Sequence, residues 1–382
     1  MTEHRITAGY IPLTDSLLLV AAREKGFAAA EGVDLTLVRE ISWANIRDRL
    51  AVGQFEVAHM LAPMPIAACL GLSPIDVPVI ATMGLGLGGN AVTVSTALWE
   101  AMQAAEAPAD FSPAGVGAAL RLVVKLRATR LRLAVVHPYS SHNYELRYWL
   151  AASGIHPDRD VELVIVPPPL MADALAAGRI DGFCVGEPWG SVAVASGAGR
   201  IATVKAKLWP LSPEKVLGVT ASWAAANAEA LAALLRALHR AALWCSEPAN
   251  HAEAAGLLAQ PAYLGQPADV IARALSGRIE PVSGHAVPVA DFFAPHAHAA
   301  NLPSSADALW YYGQMVRWGD VEHTPERAAI AAASYRPDLL RAAVDAALPE
   351  PVPGRWYDGI PYAPGDLDGY IEILRQRDML IS

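Results

Sequence analysis

The chain has 382 residues, of which 53% are hydrophobic and 18% are charged, and its formal net charge is −9. This length exceeds that of one ordinary domain, so we expect at least two lobes with a large core. The acidic balance without a basic stripe argues against direct binding of nucleic acid. No apolar run reaches the roughly 18 residues that a bilayer-spanning helix needs, so we expect no membrane span.

The start of the chain and its cysteines point to a compartment. Apolar residues alternate over 6–10, directly after a short charged start, which is typical of a first strand and not of an export signal. The three cysteines, Cys69, Cys184 and Cys245, are widely spaced within apolar stretches. This spacing indicates buried thiols in a reducing compartment. We therefore expect a cytoplasmic protein without a disulfide framework, zinc site or cofactor.

Strand and helix patterns alternate through the first part of the chain. Strands are predicted at 6–11, 33–38, 57–61, 77–83 and 91–95, and helices at 15–25, 43–52 and 63–69. This βαβ alternation predicts an α/β fold with mostly parallel sheets that are covered by helices. The segment 101–117 is rich in Ala, Pro and Asp and is predicted to leave the first lobe.

A second series follows, with strands predicted at 131–136, 161–166 and 182–185 and helices at 143–153 and 171–177. Two further strands, at 205–208 and 216–220, are predicted to lead back, and the alanine-rich remainder is predicted to be helical. The predicted division is 1–98 for the first lobe, 99–218 for the second, and 219–382 for the return to the first lobe with C-terminal helices. In open α/β sheets ligands bind at the carboxyl ends of strands, so the residues there are the candidates for a site.

His142 lies where the strand 131–136 gives way to a helix. The free N–H groups and the positive dipole end of a helix start attract anions, and an imidazole adds a donor. The alternative is a histidine that only caps the helix and contacts water.

The run GLGLGGN, residues 84–90, precedes a predicted strand. A dinucleotide fingerprint needs a helix at that point, so a bend that presents backbone N–H groups to a small anion fits better, with Gly86 and Asn90 as candidates. The alternative is a loop whose glycines serve only positive φ angles.

Three further candidates are Lys215, Trp43 and Pro168. Lys215 precedes the strand 216–220, and the alternatives are a solvated surface charge or a simple pair with Glu214. Trp43 starts a predicted helix, where a packing role is the alternative. Pro168 lies in a proline turn after the strand 161–166.

Several strings of the sequence match a known pattern. They are GYIPLTD (9–15), REKGF (23–27), SWANIRD (42–48), AHMLAPMP (58–65), RYWLAA (147–152), DGFCVGEPW (181–189), PEK (213–215) and YRPDL (335–339). With these strings the chain resembles the nitrate- and bicarbonate-binding proteins of bacterial ABC transporters, NrtA/CmpA-like, and within that family the NasS-like nitrate/nitrite sensors. The resemblance covers most of the chain.

The resemblance implies a two-lobed, type II periplasmic-binding-protein-like fold that holds one planar oxyanion in a central cleft. Residue by residue, it implies a pocket of Trp43, the loop Gly86 to Asn90, His142 and Lys215, with Pro168 nearby. One departure is that the transport members have a glutamine where Asn90 aligns. The bicarbonate relatives place an acid and a metal ion where Lys215 stands, so the lysine favours nitrate or nitrite, which only accept hydrogen bonds.

The resemblance also implies a partner. We expect a cytoplasmic sensor that holds an ANTAR-type, NasT-like antiterminator regulator inactive until nitrate or nitrite binds. The alternative is the substrate-binding component of a nitrate/nitrite or bicarbonate ABC transporter. A lesser alternative is an enzyme that resembles the thiamine-pyrimidine synthases, but no clustered cysteine motif or nucleophile–base pair stands out, so we expect no catalysis.

Overall fold

The structure is a computed structural model that describes residues 4–344, 348–351 and 356–381. The chain begins with a βα series. Its strands are β1 (His4–Tyr10), β2 (Val33–Arg39), β3 (Val57–Leu61), β4 (Val79–Gly84) and the short β5 (Leu87–Gly88), and its helices are α1 (Leu17–Glu24), α2 (Phe27–Ala30), α3 (Trp43–Ala51) and α4 (Pro63–Cys69). The bounds of β3 and α4 are the predicted ones.

A second series occupies the middle of the chain. Its strands are β6 (Asn90–Ser95), β7 (Leu131–Val135), β8 (Val161–Ile165), β9 (Gly182–Gly186) and β10 (Gly199–Val204), and its helices are α5 (Thr96–Ala104), α6 (Pro113–Leu126), α7 (Ser141–Ala152), α8 (Met171–Ala176) and α9 (Trp189–Ala195). The chain returns through α10 (Lys205–Leu208) and β11 (Lys215–Thr220). The segment 205–208 is therefore a helical turn, and its prediction as a strand is wrong.

Helices dominate the C-terminal third. They are α11 (Ala221–Ala226), α12 (Ala228–Ser246), α13 (His251–Ala259), α14 (Ala268–Ser276), α15 (Ser305–Arg317), α16 (Pro325–Ala333), α17 (Pro337–Ala343) and α18 (Leu367–Leu380). Short strands also occur here, at β12 (Arg278–Val282), β13 (His285–Pro288) and β14 (Phe293–Ala294), although the sequence predicted helices alone. Within the described ranges, no helix combines the length and apolar character that crossing a bilayer requires.

Two five-stranded sheets form the framework of two lobes. The first-lobe sheet has the order β2-β1-β3-β11-β4, and the second-lobe sheet has the order β10-β6-β9-β7-β8. In the first sheet β1 pairs in parallel with β2 and β3, whereas β11 is antiparallel to β3 and β4. In the second sheet β7 is parallel to β8 and β9, whereas β6 is antiparallel to β9 and β10. The two-lobed α/β fold with mostly parallel strands is confirmed, because four of the five strands in each mixed sheet run in one direction and only β11 and β6 are reversed.

Two crossovers connect the lobes. The chain enters the second sheet at Asn90 and leaves it at Val204. The strand that begins at Asn90 therefore belongs to the second sheet, although the sequence placed it with the first lobe. The segment 101–117, predicted as a passage, contains the end of α5 and the start of α6.

An aromatic cluster fixes the C-terminal helices against the second crossover. The rings of Trp310 and Trp356 stack with centroids 4.1 Å apart, and Trp209 lies 4.0 Å from Trp356. Tyr311 on α15 donates a hydrogen bond to the carbonyl of Pro213 at 2.8 Å. Because buried aromatic contacts and satisfied polar tips hold a segment in place, the backbone just before β11 is fixed from behind.

Candidate anion site between the lobes

His142 lies in the first turn of α7, as the sequence predicted. Ser140 caps this helix, because its hydroxyl accepts a hydrogen bond from the N–H of Asn143 at 3.0 Å. The imidazole is fully buried, so a histidine that only contacts water is ruled out. Its Nε2 accepts a hydrogen bond from the N–H of Gly186 at 3.1 Å, and burial lowers the pKa of His142 to about 3.

This hydrogen bond selects the tautomer of the neutral ring. If Nε2 of His142 accepts from Gly186, the proton of the neutral imidazole resides on Nδ1. Nδ1 is buried and has no hydrogen-bond partner among the described residues. A buried N–H that lacks an acceptor is costly, so this atom is a candidate for holding a ligand oxygen.

Trp43 is the first residue of α3, and Ser42 caps the helix by accepting from the N–H of Asn45 at 3.2 Å. The indole is 1% exposed and its Nε1 has no hydrogen-bond partner within the described ranges. The ring lies 5.5 Å from Nζ of Lys215 and 5.4 Å from the ring of His59, measured to the centroids. Trp43 thus packs beside the site and also presents a free donor.

Lys215 is buried at the first position of β11, opposite Leu61 of β3. Its Nζ lies 2.8 Å from Oδ2 of Asp15 and 2.6 Å from Oε1 of Glu214. The pair with Glu214, one of the alternatives, is present, and the solvated surface charge is ruled out. Burial alone would lower the pKa of Lys215, but the two carboxylates outweigh it and hold that pKa above its ordinary value.

Seven buried residues from both lobes meet around Lys215 and are called the interlobe cluster below. The first lobe supplies Asp15, Glu214 and Lys215, and the second supplies Asn90, His142, Glu145 and Lys205. Each member lies within ion-pair or hydrogen-bond distance of another member, so the sequence-predicted pair of Lys215 and His142 shares one buried site.

Glu214 joins the two halves of the interlobe cluster. Its Oε2 accepts hydrogen bonds from Lys205 Nζ and Asn90 Nδ2, both at 2.6 Å. Its Oε1, which binds Lys215, also lies 3.3 Å from Nε2 of His142. The carboxylate of this first-lobe residue therefore accepts hydrogen bonds from Lys205 and Asn90 of the second lobe and from Lys215 of its own lobe.

The two buried lysines differ in how many donors they have left. An ammonium carries three N–H groups. Those of Lys205 have three acceptors, namely Glu145 Oε1 at 2.5 Å, Glu214 Oε2 at 2.6 Å and the carbonyl of Pro213 at 2.8 Å. Lys215 has two such acceptors, so within the described part of the chain one N–H of its ammonium remains for a ligand.

The carboxyl groups of the interlobe cluster differ in charge. For Asp15 and Glu214 burial favours the neutral acid, but the lysines outweigh it and hold both pKa values below the ordinary range. For Glu145 burial wins, and with help from the negative charge of Glu214 it raises the pKa to about 7 despite Lys205. Two cations thus face two firmly ionised acids and a third acid that is poised between its two forms.

Asn90 is in the interlobe cluster, but its amide donors are already used. Nδ2 donates to Glu214 at 2.6 Å and to Glu145 at 3.1 Å. Its Oδ1 is buried without a hydrogen-bond partner in the described ranges, so what remains for a ligand is an acceptor. Asn90 therefore offers a ligand an acceptor and no free amide N–H in this geometry, and its role at the ligand stays a prediction.

The glycines of 84–90 serve backbone conformation. Gly86 and Gly88 have φ angles of 129° and 76°, and a Cβ on Gly86 would lie 2.6 Å from the ring of Phe293. The N–H groups of Gly88 and Gly89 donate to the carbonyls of Ser212 and Phe292. The N–H groups of Gly88 and Gly89 are therefore already used, the positive φ angles agree with the backbone alternative, and a role of Gly86 at the ligand stays a prediction.

Pro168 lies in a 3-10 turn of the second lobe, between β8 and α8. It follows β8, the edge strand, which is separated from β9 by β7. In the described ranges no hydrogen bond joins Pro168 to the cluster. Its expected place near the ligand stays a prediction.

Three members of the interlobe cluster, Asp15, Glu145 and Lys205, were not predicted as site residues from the sequence. Asp15 is the last residue of the matching string 9–15 and lies in a 3-10 turn beyond the end of β1, so its position at a strand end was a usable signal. Glu145 lies one turn after His142 on α7, and Lys205 directly follows β10, a strand that was not predicted. A buried acid or lysine has no local signature, because only its distant partner makes burial possible.

Two hydrogen bonds also join the lobes beside the interlobe cluster. The N–H of Thr14 donates to the carbonyl of Glu187 at 2.7 Å, and the indole of Trp189 donates to the carbonyl of Pro12 at 3.0 Å. Gly186 lies between the lobes, and a Cβ there would be 3.4 Å from Oδ1 of Asn90, an ordinary contact distance.

No group of three or more His, Cys, Asp or Glu side chains within the described ranges is arranged to hold a metal ion.

A profile of the NMT1-like family matches residues 2–259, which is more than half of the chain. The chain belongs to the NMT1-like family. Among its relatives within this family, the nitrate/nitrite binding protein NrtA of Synechococcus elongatus is 32% identical over 388 residues, covering 97% of this chain and 86% of that protein.

Two ATP-binding relatives are similar over part of their length. The nitrate import ATP-binding protein NrtC of Synechocystis is 35% identical over 95% of this chain, and the bicarbonate transport ATP-binding protein CmpC of the same organism is 39% identical over 82%. The NMT1-like chain spans about half of each, 54% and 46%.

A solved structure is similar over nearly the whole NMT1-like chain. The crystal structure of the periplasmic nitrate-binding protein NrtA from Synechocystis has a TM-score of 0.89 at 27% identity, covering 97% of this chain and 98% of that one. The two-lobed fold is therefore that of a periplasmic-binding protein.

Proposed function

We propose that the chain binds one nitrate or nitrite ion between its lobes, at the interlobe cluster. The observation that carries this proposal is a set of three buried donors without acceptors: the third N–H of Lys215, Nδ1–H of His142 and Nε1–H of Trp43. Lys215 lies near the other two: its Nζ is beside the Trp43 ring, and it contacts Oε1 of Glu214, which lies 3.3 Å from Nε2 of His142. Nitrate and nitrite only accept hydrogen bonds, so they complement such a set.

The relatives support the same ligand class. NrtA of Synechococcus elongatus is named a nitrate/nitrite binding protein, and the NrtA of Synechocystis whose fold matches is named a nitrate-binding protein. These names describe binding and transport components, which supports a role in binding without turnover.

A second candidate ligand is bicarbonate, which one atom favours. Oδ1 of Asn90 is a buried acceptor without a partner, and bicarbonate carries an O–H that needs an acceptor. The relative CmpC is named for bicarbonate transport. The positive charge of Lys215 and the three free donors around it favour nitrate or nitrite.

Isothermal titration of the purified chain with nitrate, nitrite, bicarbonate and sulfate tests the ligand. We expect binding of nitrate or nitrite, and its loss in Lys215→Glu, which places like charge beside the anion. Lys207→Glu, at an exposed lysine of α10, is the matched control and is expected to bind as the wild type does. Tight bicarbonate binding that requires calcium would contradict the proposal.

For the physiological role we propose a cytoplasmic sensor that releases an ANTAR-type antiterminator regulator when nitrate or nitrite binds. The net charge of −9 suits a protein that contacts a regulator and not RNA, and three free cysteine thiols are typical of a reducing compartment. The names of the relatives favour the other role, a transporter's substrate-binding component.

Size-exclusion chromatography with the purified regulator separates these two roles. A sensor forms a complex that nitrate dissociates, because a ligand shifts an equilibrium by its differential affinity for the two states. If no complex forms with or without nitrate while nitrate binding itself is intact, the sensor role is refuted and the transport role is retained.

A further inference from the structure

The charges of the interlobe cluster are unusual for a site that receives an anion. Asp15 and Glu214 both lie on the ammonium of Lys215, at 2.8 and 2.6 Å. Glu214 also contacts Lys205 at 2.6 Å, and Glu145 contacts Lys205 at 2.5 Å. The two lysines are therefore balanced by acids from the protein itself, and the site carries no surplus of positive charge.

Glu214 and Asp15 are the two acids that share the ammonium of Lys215 with any anion held there, and Glu214 makes the shorter contact. The third N–H of Lys215 would hold the ligand, while Oε1 of Glu214 occupies another N–H of the same ammonium. Two oxygens that share one ammonium lie within roughly 5 Å of each other, given ordinary hydrogen-bond lengths. In a buried site that excludes water, like charges at this separation repel strongly, and the repulsion doubles for a doubly charged ligand.

We propose that Glu214 is a specificity-determining residue that restricts the site to singly charged anions. This inference rests on the proposed function, because it assumes that an anion binds at Lys215. Asp15 and Glu214 leave the ammonium of Lys215 with one free donor and little net charge. A monoanion adds one negative charge to this balanced cluster, whereas a dianion such as sulfate adds two beside the carboxylate, and burying unpaired charge is unfavourable.

Glu145 does not share this role of Glu214, and Asp15 shares it only in part. Glu145 lies on Lys205, whose three N–H groups all have acceptors, so its ionisation balances the lysine that does not face the ligand. Asp15 is turned partly towards His59, whose Nε2 lies 3.0 Å from Oδ1 of Asp15. In a Glu214→Gln chain, Lys215 would retain one carboxylate instead of two.

The test compares nitrate and sulfate affinities of the wild type and of Glu214→Gln by isothermal titration in one buffer. Glutamine keeps the size of the side chain and an acceptor oxygen for the lysines. The wild type and Glu214→Gln are titrated with the same two ligands, so the difference in ligand shape is the same for both. A change in the ratio of sulfate to nitrate affinity therefore reflects the removed charge of Glu214. We expect the ratio of sulfate to nitrate affinity to rise at least ten-fold, about 1.4 kcal/mol, in Glu214→Gln.

Glu187→Gln is the matched control. Glu187 is also a buried acid in the cleft region, but its Oε2 accepts from the N–H of Ser191 at 3.1 Å and not from either cluster lysine. We expect the wild-type ratio in this variant. If Glu214→Gln does not fold, Asp15→Asn removes the other carboxylate on Lys215 and is expected to raise the ratio in the same direction.

The failures of the two proposals are distinguishable. If the wild type binds neither nitrate nor nitrite, the proposed function fails. If the wild type binds nitrate but Glu214→Gln keeps the wild-type ratio, or never binds sulfate detectably, the filter role of Glu214 is overturned while the proposed function stands. An equal rise in Glu187→Gln would also overturn it, since the effect would not depend on contact with Lys215.

Discussion

Removing the charge of Lys215 tests the energetics of the interlobe cluster. Lys215→Met keeps the length of the side chain but leaves the carboxylates of Asp15 and Glu214 without their shared cation. Taking one partner from a buried ion pair costs about 3–5 kcal/mol, because the remaining charge is buried without compensation. We expect a loss of this size in the free energy of unfolding at pH 7, together with the loss of nitrate binding.

Urea denaturation followed by tryptophan fluorescence measures this loss. In the wild type, the contacts of Asp15 and Glu214 with Lys215 stabilise the folded state at pH values above the ordinary carboxyl pKa values, 3.8 and 4.5. This contribution to stability is lost as the pH falls through the lowered pKa values of the folded state. In Lys215→Met the bare acids take up protons more readily, so the deficit against wild type is expected to narrow between pH 7 and pH 5.

Lys207→Met is the control for the same chemical change at an exposed site, and its effect is expected to stay within about 0.5 kcal/mol. The reasoning is refuted if Lys215→Met unfolds within about 1 kcal/mol of the wild type, since that is the size of an exposed ion pair.

Three further predictions concern the cleft. Gly186→Ala adds a methyl group between the lobes at ordinary contact distances, so the protein should fold with an unchanged melting temperature. Because the methyl group takes up space beside the interlobe cluster, titration should show nitrate affinity reduced at least ten-fold. Unchanged affinity would place the ligand elsewhere. Ser140→Ala removes the cap of α7, so it should cost about 1 kcal/mol in urea denaturation and also weaken nitrate binding through His142, whereas Ser304→Ala, which uncaps α15, should cost the same and leave binding intact. Burial raises the pKa of Glu187 from 4.5 to about 7, so the folded protein binds more protons between these values and its stability falls as the pH rises across them. Glu187→Gln should flatten this slope in urea denaturation at pH 5, 6 and 7, and an unchanged slope would contradict the assignment.

The sequence predicted best those strands and helices whose ends are set by residues close together in the chain. The strand β3 and the helix α4 have the predicted bounds, since an apolar strand and a proline at the first helical turn are signals in the sequence itself. The prediction of a strand at 205–208 was wrong because four residues are too few to show a helical or strand period. The helical turn there directly follows β10, a strand that was not predicted. Which sheet β6 joins depends on its pairing with β9 and β10, and nothing in the residues of β6 encodes those partners.

The candidate site was predicted in outline through strand ends. His142, Trp43 and Lys215 follow or start elements at the cleft, and the structure brings them together. The acids were not predicted, because the pairing of Lys215 with Asp15 spans 200 positions and that of Asn90 with Glu214 spans 124. These charges are buried together only because the two lobes pack against each other. The charge balance of the site depends on the same packing and therefore has no local signal in the sequence.

A crystal structure of the chain grown with nitrate tests the central claim most directly. The account predicts one nitrate ion between the lobes, with oxygens at hydrogen-bond distance, roughly 2.7–3.2 Å, from Nζ of Lys215 and Nδ1 of His142. Nitrate bound elsewhere, or a cleft in which these two atoms contact no common anion although titration shows binding, would contradict it.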